Sequence, residues 1–151
     1  MSYVEDDSIP EVGRTVVYTA HGPNLRNTAQ AHFFGTDRGG GGVGMKPAYP
    51  GRITRLEFTG TITTGHASAV LTVTVWKNTV ATVVFETTKS MNETPDLDFI
   101  LEQSEAGGDV VDSNTFETTD DWGIVAALDT GTAVIENIGV MMEVVYDDVD
   151  E

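Results

Sequence analysis

The sequence predicts an all-β domain: an antiparallel β-sandwich, jelly-roll-like, of about eight strands. Three observations lead there. Apolar residues recur at every second position in several runs, the spacing of a sheet with one wet face. Val and Thr, which fit a pleated surface, dominate those runs. Gly, Pro, Asn and Asp punctuate them at short intervals, with no long helical pattern between.

Along the chain, residues 1–13 read as a polar N-terminal arm, residues 14–146 as the sandwich and residues 147–151 as an acidic tail. Arg14 to Ala20 is the first expected strand, and His21 to Asn24 a turn. Ala31 to Phe34 is a second, short strand. Gly35 to Gly51 reads as a glycine-rich loop. In Arg52 to Thr63, Leu56, Phe58 and Ile62 share one side, while Arg55, Glu57 and Thr59 share the other. Leu71, Val73 and Val75 then point one way and Thr72, Thr74 and Trp76 the other. Lys77 and Asn78 make a tight turn, because Asn tolerates positive φ, and Thr79 to Glu86 returns. Thr87 to Pro95 reads as a loop, Asp96 to Glu102 as a strand, and Glu105 to Thr119 as an acidic loop with Phe116 tucked inward. Trp122 to Leu128 alternates. The last strand, Thr132 to Tyr146, aligns Val134, Ile138, Val140, Met142, Val144 and Tyr146.

The chain has 151 residues, enough to bury roughly 68–70% of its unfolded surface without a staple. It has no cysteine, so disulfides and thiolate metal sites are excluded. No run approaches the roughly 20 apolar residues of a membrane helix, and the acidic start resembles no secretory signal. Synthesis in a cytoplasm is expected, with exit as part of a particle. The formal charge is −16, from 24 acids against 8 bases, and Lys46, Lys77 and Lys89 are the only lysines. Such a chain is repelled by nucleic-acid phosphates and anionic lipids, so neither is an expected partner. At about 1 M salt the Debye length is about 3 Å and the self-repulsion is screened. The composition therefore reads as that of a halophile's protein.

Several motifs have a chemical and a plainer reading. Asp129-Thr130-Gly131-Thr132 after an apolar strand resembles the active-site loop of aspartic proteases, which need two aspartates sharing a proton. Only a strand and a tail follow it, and a turn is the plainer reading. Gly39-x-Gly41-x-x-Gly44 matches the dinucleotide fingerprint as a string, but Pro47 and Pro50 forbid the helix that must follow. Arg38 and Lys46 flank that loop and could meet an acidic neighbour. His21, His32 and His66 lack ligand spacing. Asp96 with Asp98, Asp109 with Asp112 and Asp120 with Asp121 could offer calcium oxygens, though none forms a helix-loop-helix pattern. Asn92-Glu93-Thr94 is a glycosylation sequon weakened by Pro95. Trp76 and Trp122 could stack on sugars, but strand tryptophans more often pack inward. The sequence assigns no catalytic, cofactor-binding or metal-ligating residue, and no cofactor.

The twin strands from Leu71 through Lys77-Asn78 to Val80, the Asp-rich loop before Trp122, and the closing strand ending at Tyr146 carry a resemblance. Residues 53–146 resemble β-sandwich domains on virion surfaces: head-decoration, turret, spike and tail-fibre proteins of tailed phages and archaeal viruses. The resemblance implies a non-enzymatic structural subunit of a haloarchaeal virion. It implies a symmetric homo-oligomer, a trimer or pentamer, that meets other capsid or appendage subunits and a host-surface glycan. The arm and the loop Gly35 to Pro50 are the expected contact segments. A carbohydrate- or calcium-binding module of a halophile surface protein is the alternative. An aspartic protease acting through Asp129 is a remote one.

Overall fold

A computed structural model of the chain describes residues 14–26, 30–38, 41–92, 97–129 and 133–147. The all-β sandwich is what forms, and the described residues include no helix. The strands are β1 (Arg14–His21), β2 (Leu25–Arg26), β3 (Gln30–Phe33), β4 (Gly35–Arg38), β5 (Gly41–Gly44) and β6 (Gly51–Thr64). They continue as β7 (Val70–Lys77), β8 (Thr79–Ser90), β9 (Leu97–Ser104), β10 (Thr115–Phe116), β11 (Trp122–Leu128) and β12 (Val134–Tyr146).

Two sheets face each other. The larger has six strands: β12 pairs β6 on one side and β1 and then β2 on the other, and β6 pairs β10 and then β9 on its side away from β12. The smaller runs β3-β11-β7-β8. Leaving aside the two-residue strands and the β4–β5 hairpin, eight strands remain, and in chain order they read 1-8-3-6 and 2-7-4-5. The pairs β1/β12, β3/β11, β6/β9 and β7/β8 are all antiparallel. This nesting of first with last is the strand order of a jelly roll.

The core fills the space between the sheets. Ile53, Leu56, Phe58 and Ile62 of β6 and Val140, Met142 and Val144 of β12 face Leu71, Val73, Val75, Ile124 and Ala126 across it, all buried. Phe58 bridges the layers, meeting Phe33 edge-on and Phe99 stacked, each at 6.3 Å between centroids. Such aromatic pairs add about 0.5–1.5 kcal/mol beyond burial.

Three irregularities interrupt the β6–β12 ladder, at Val134/Ile135, Glu136/Gly139 and Glu143/Val144, and the last two bear on which side of the larger sheet the neighbouring residues face. Glu143 pairs Arg55 while Val144 pairs Ile53, so Thr54 is an extra residue on β6. Its hydroxyl donates to the Glu143 carbonyl at 3.2 Å and to Glu143 Oε1 at 2.8 Å, and its carbonyl accepts the Glu105 N–H at 2.8 Å. Both the hydroxyl and the carbonyl of Thr54 are therefore hydrogen-bonded within the bulge. The second lies on β12, where Asn137 takes φ 57° between the Glu136/Thr61 and Gly139/Thr59 pairs. It reverses the expected phase of the last strand's start: Ile135 is buried and Val134 is only half-buried. Val134 was expected on the inward side, and the bulge is the physical reason that it is not.

Three other expectations change. The glycine segment forms a β4–β5 hairpin with Gly35 opposite Gly44, where a loop was expected. Strand β8 runs on through Thr87 and Thr88 to Ser90, because β7 offers partners from Val73 to Val70. Strand β9 extends to Ser104, held against Arg55. The Asn78 turn forms as expected, at φ 69°. The arm and residues 148–151 of the tail lie outside the described residues.

Candidate functional site

The outward side of the larger sheet carries a charged, open cleft. Register places Arg55 between Glu143 on β12 and Ser104 on β9, and Glu57 between Met141 and Glu102. The Thr54 bulge turns the chain so that Arg52 and Arg55 both reach this side. Together with the loop after β9 they line an open cleft of about 510 Å³, floored by Thr54, Glu143 and Val145 and walled by Glu105 and Asp109.

The charges in the cleft are matched locally. Arg52 Nε donates to Glu105 at 2.9 and 3.2 Å. Arg55 Nη2 donates to Glu57 at 2.8 Å and lies 3.9 Å from Glu102. Asn114 Nδ2 donates both to the Ile53 carbonyl and to Glu105 Oε1, each at 2.9 Å. The Asn114 hydrogen bond is the largest influence on the Glu105 carboxyl; burial opposes it, and the Arg52 hydrogen bond and charge add to it, so the group is held below its ordinary range. These pairs are exposed, so each adds at most about 1 kcal/mol. Chemically, the cleft presents guanidinium edges beside carboxylate oxygens, a surface that can exchange hydrogen bonds with a polar ligand or a neighbouring subunit.

One end of the sandwich holds an aromatic cluster. Trp122 meets Phe34 at 5.6 Å and Tyr18 at 5.7 Å, both edge-on. Phe34 sits at φ 60°, a strained conformation for a bulky residue, at the β3–β4 junction. Tyr18 and Tyr146 share a 2.6 Å hydroxyl–hydroxyl bond. Tyr49 and Phe116 pack edge-on against Tyr146. Burial first, and the Tyr18 bond second, push the Tyr146 phenol above its ordinary value.

The residues singled out by sequence fall on separate tasks. Asp129 closes the end of β11: its Oδ1 accepts the Val70 N–H at 2.8 Å. Thr130, Gly131 and Thr132 lie outside the described residues, as do Asp96, Gly39 and residues 93–95 of the sequon region. Asp109 accepts the Ser104 N–H at 2.9 Å. Asp120 accepts Asn78 Nδ2 and the Glu117 N–H, and those two bonds hold its carboxyl below the ordinary range. Asp121 accepts the Gly44 N–H at 2.8 Å. Each described member of the three acid pairs except Asp98 and Asp112 thus closes a turn or anchors a strand, and Asp98 takes the Thr61 hydroxyl at 2.7 Å. No three Asp, Glu or His among the described residues converge as a metal site. His21 is on β1, His32 on β3, and His66 in the β6–β7 turn, where Nδ1 accepts the Ser68 N–H at 3.2 Å.

Trp76 and Trp122 are 1% and 0% exposed, so neither presents a ring face for a sugar. Trp76 lies on the outward side of β7, flat on Gly123, where a Cβ would come within 2.5 Å of the indole. The β4–β5 hairpin contacts both strands that flank it, β11 and β8. Gly44 is forced by proximity as well: a Cβ there would meet the Trp122 carbonyl at 2.3 Å. Lys46 reaches the Thr119 carbonyl at 3.4 Å. The described parts of the glycine segment, Gly35–Arg38 and Gly41–Gly44, thus form a ribbon joined to β11 through the Met45–Trp122 bridge, and no helix follows in residues 45–50.

Sequence reasoning did not single out Arg52, Arg55, Glu105, Asn114 or Glu143 as a group. Their closeness depends on the β6–β12 register and on the Thr54 bulge, which leave no local signature. No family model matches the chain. A comparison with curated proteins finds no match either.

Proposed function

We propose that this chain is a non-enzymatic structural subunit of a virion surface, a capsid-decoration, turret, spike or tail component of a halophilic virus, working as a symmetric homo-oligomer. The observation that carries the reading is the strand order, 1-8-3-6 facing 2-7-4-5. Jelly rolls build viral capsid domains as well as lectins and cupins, so the support is an analogy of fold. The charge of −16 adds the salt-rich setting. The turn-closing use of the loop carboxylates described above accounts for them structurally, without a catalytic role.

The test is immunogold electron microscopy on particles purified from the source culture, with antibody raised against this chain. Regular labelling of particle surfaces supports the reading; labelling confined to cell envelopes overturns it. Deletion of Met1 to Gly13 is expected to reduce incorporation into particles while the sandwich stays folded by circular dichroism. A second reading, a carbohydrate-binding module, draws on the cleft of Arg52, Arg55, Glu105 and Asp109. A glycan array answers it: a hit abolished by Arg52→Ala favours the module.

A further inference from the structure

A sheet edge is a row of unmet N–H and C=O groups, and proteins blunt such edges with charge, bulges, cover or shortness. Three edges of this sandwich are blunted. Strand β9 turns Asp98 and Glu102 outward. Strand β8 carries an extra residue, Val84, whose carbonyl is taken by the Val111 N–H at 2.9 Å. Strand β3 is only four residues long.

Among the described residues, strand β1 shows no bulge and no covering strand, and its one Lys or Arg, Arg14, stands at its very start. It pairs β12 in eight unbroken steps, Arg14 with Tyr146 through His21 with Gly139. It contains no proline and no carboxylate, in a chain with 24 acids. Among the described residues, β12 is the one strand it pairs with. The Gly22 N–H bonds the Ile138 carbonyl at 3.2 Å, continuing the same register. Hydrogen-bonded pairs alternate in an antiparallel ladder. The even-numbered residues of β1 therefore direct their backbone groups to β12, and Thr15, Val17 and Thr19 direct theirs to the open edge. Those same residues expose their side chains, and Val17 is 50% exposed.

We infer that β1 is the pairing edge for a second copy of this chain, antiparallel about a twofold axis through Val17. In that register Val17 lies opposite the partner's Val17, and Thr15 opposite the partner's Thr19. Opposed side chains fall on the same face, as antiparallel pairing requires, and the pairs are β-branched. The edge is self-complementary: each copy supplies as many donors as acceptors. Two six-stranded sheets become one continuous sheet.

Charge selects this occupant and its conditions. On the outward face the nearest carboxylate to the seam is Glu143, one strand in, beside Val17. Two Glu143 side chains across the seam are three strand spacings apart, about 14 Å. That separation exceeds the Debye length of about 8 Å at physiological salt and far exceeds the roughly 3 Å at 1 M. Any other full-length edge would bring carboxylates or a capped carbonyl to the seam. The inference goes beyond the proposed function and does not rest on it, since a surface module could pair in the same way.

The experiment is sedimentation equilibrium of the full chain at about 1 M salt, with Val17→Pro and Val17→Lys. Proline removes an N–H that points to the open edge, so the β1–β12 bonds remain. The parent is expected to form a dimer or an even-numbered assembly. Each variant is expected to associate at least about tenfold more weakly, about 1.4 kcal/mol, with an unchanged circular-dichroism spectrum. If Val17→Pro does not fold, Val17→Lys decides alone. Hydrogen exchange adds an independent reading: the Thr15, Val17 and Thr19 amides should gain protection as concentration rises. A parent that stays monomeric, or variants that dimerise as tightly as the parent, overturn the inference. So does a dimer lost only on deletion of Met1 to Gly13, which would place a partner's arm on the edge. A parent that pairs through β1 yet never labels particles would sink the virion reading and leave this one standing.

Discussion

On the larger sheet, the outward side of β6 shows Arg55, Glu57, Thr59 and Thr61, each partly exposed. On the smaller sheet, the outward side of β7 holds Trp76 at 1% and Thr74 at 7% exposed. Strands β3, β7 and β11 contain no carboxylate, whereas β6, β9 and β12 contribute Glu57, Asp98, Glu102, Glu136 and Glu143. Both sheets give their inner faces to one core, but they use their outer faces differently. The smaller sheet buries part of its second face beneath the glycine hairpin, and so gains stability there. The larger sheet leaves its second face to solvent and charge. Among the described residues, the carboxylates lie mostly on the larger sheet and in the segments between and after strands, with Asp37 on β4 and Glu86 on β8 outside that set.

The comparison predicts a graded set of effects. Trp76→Ala is expected to lower the unfolding free energy by about 3–5 kcal/mol, as for other buried large-to-small changes. Thr61→Ala, on the outward side of the larger sheet, should change it by only about 0.5 kcal/mol. Urea denaturation measures both, and equal effects would erase the contrast. Gly123→Ala forces a Cβ against the Trp76 indole at 2.5 Å and should destabilise by about 1–3 kcal/mol.

Tyr146→Phe removes the hydroxyl bonded to Tyr18 and should lower stability by about 1 kcal/mol near neutral pH. Its alkaline signature is more specific. The folded phenol sits above its unfolded value of about 10. Its contribution is complete below that value and is lost as pH rises toward the folded one. The parent should lose stability above pH 10 or so, and the Phe variant should lack that part of the decline. A small effect, of the same order as that of Thr61→Ala, is expected at Glu105→Gln. The folded carboxyl sits below its unfolded value of about 4.3. Its stabilisation is present above that value and fades as pH falls through the folded one. At neutral pH the loss should be under about 1 kcal/mol and should shrink in salt. A larger loss would mean the cleft's ion pairs carry more of the fold than their exposure allows.

Much of the fold was legible from period-2 patterning. The inward sets of β6, β7 and β11 read directly, because each strand keeps one phase over its length after Arg55, Val70 and Trp122. The start of β12 did not, because Asn137 adds a residue and flips the phase. The glycine hairpin was hidden by the same property that lets it lie close to Trp122: glycines carry no side chain to show alternation. The length of β8 was missed because Thr87 and Thr88 are polar, and their strand character comes from pairing with β7. Of the cleft, Arg52 and Glu105 were visible as residues, but their meeting depends on long-range register. The edge of β1 was legible in one respect: Arg14 to His21 is a β-rich run without an acid. What made it an edge was the topology.

The proposed subunit role requires that this jelly roll associate with copies of itself through contacts that need screened charge. The most direct measurement is the molar mass of the purified full-length chain by light scattering as salt is lowered from about 1 M. The account predicts a multiple of 16.2 kDa at high salt that falls back toward the single-chain mass on dilution. A mass that stays at one chain across the whole range, with the fold intact, would contradict it.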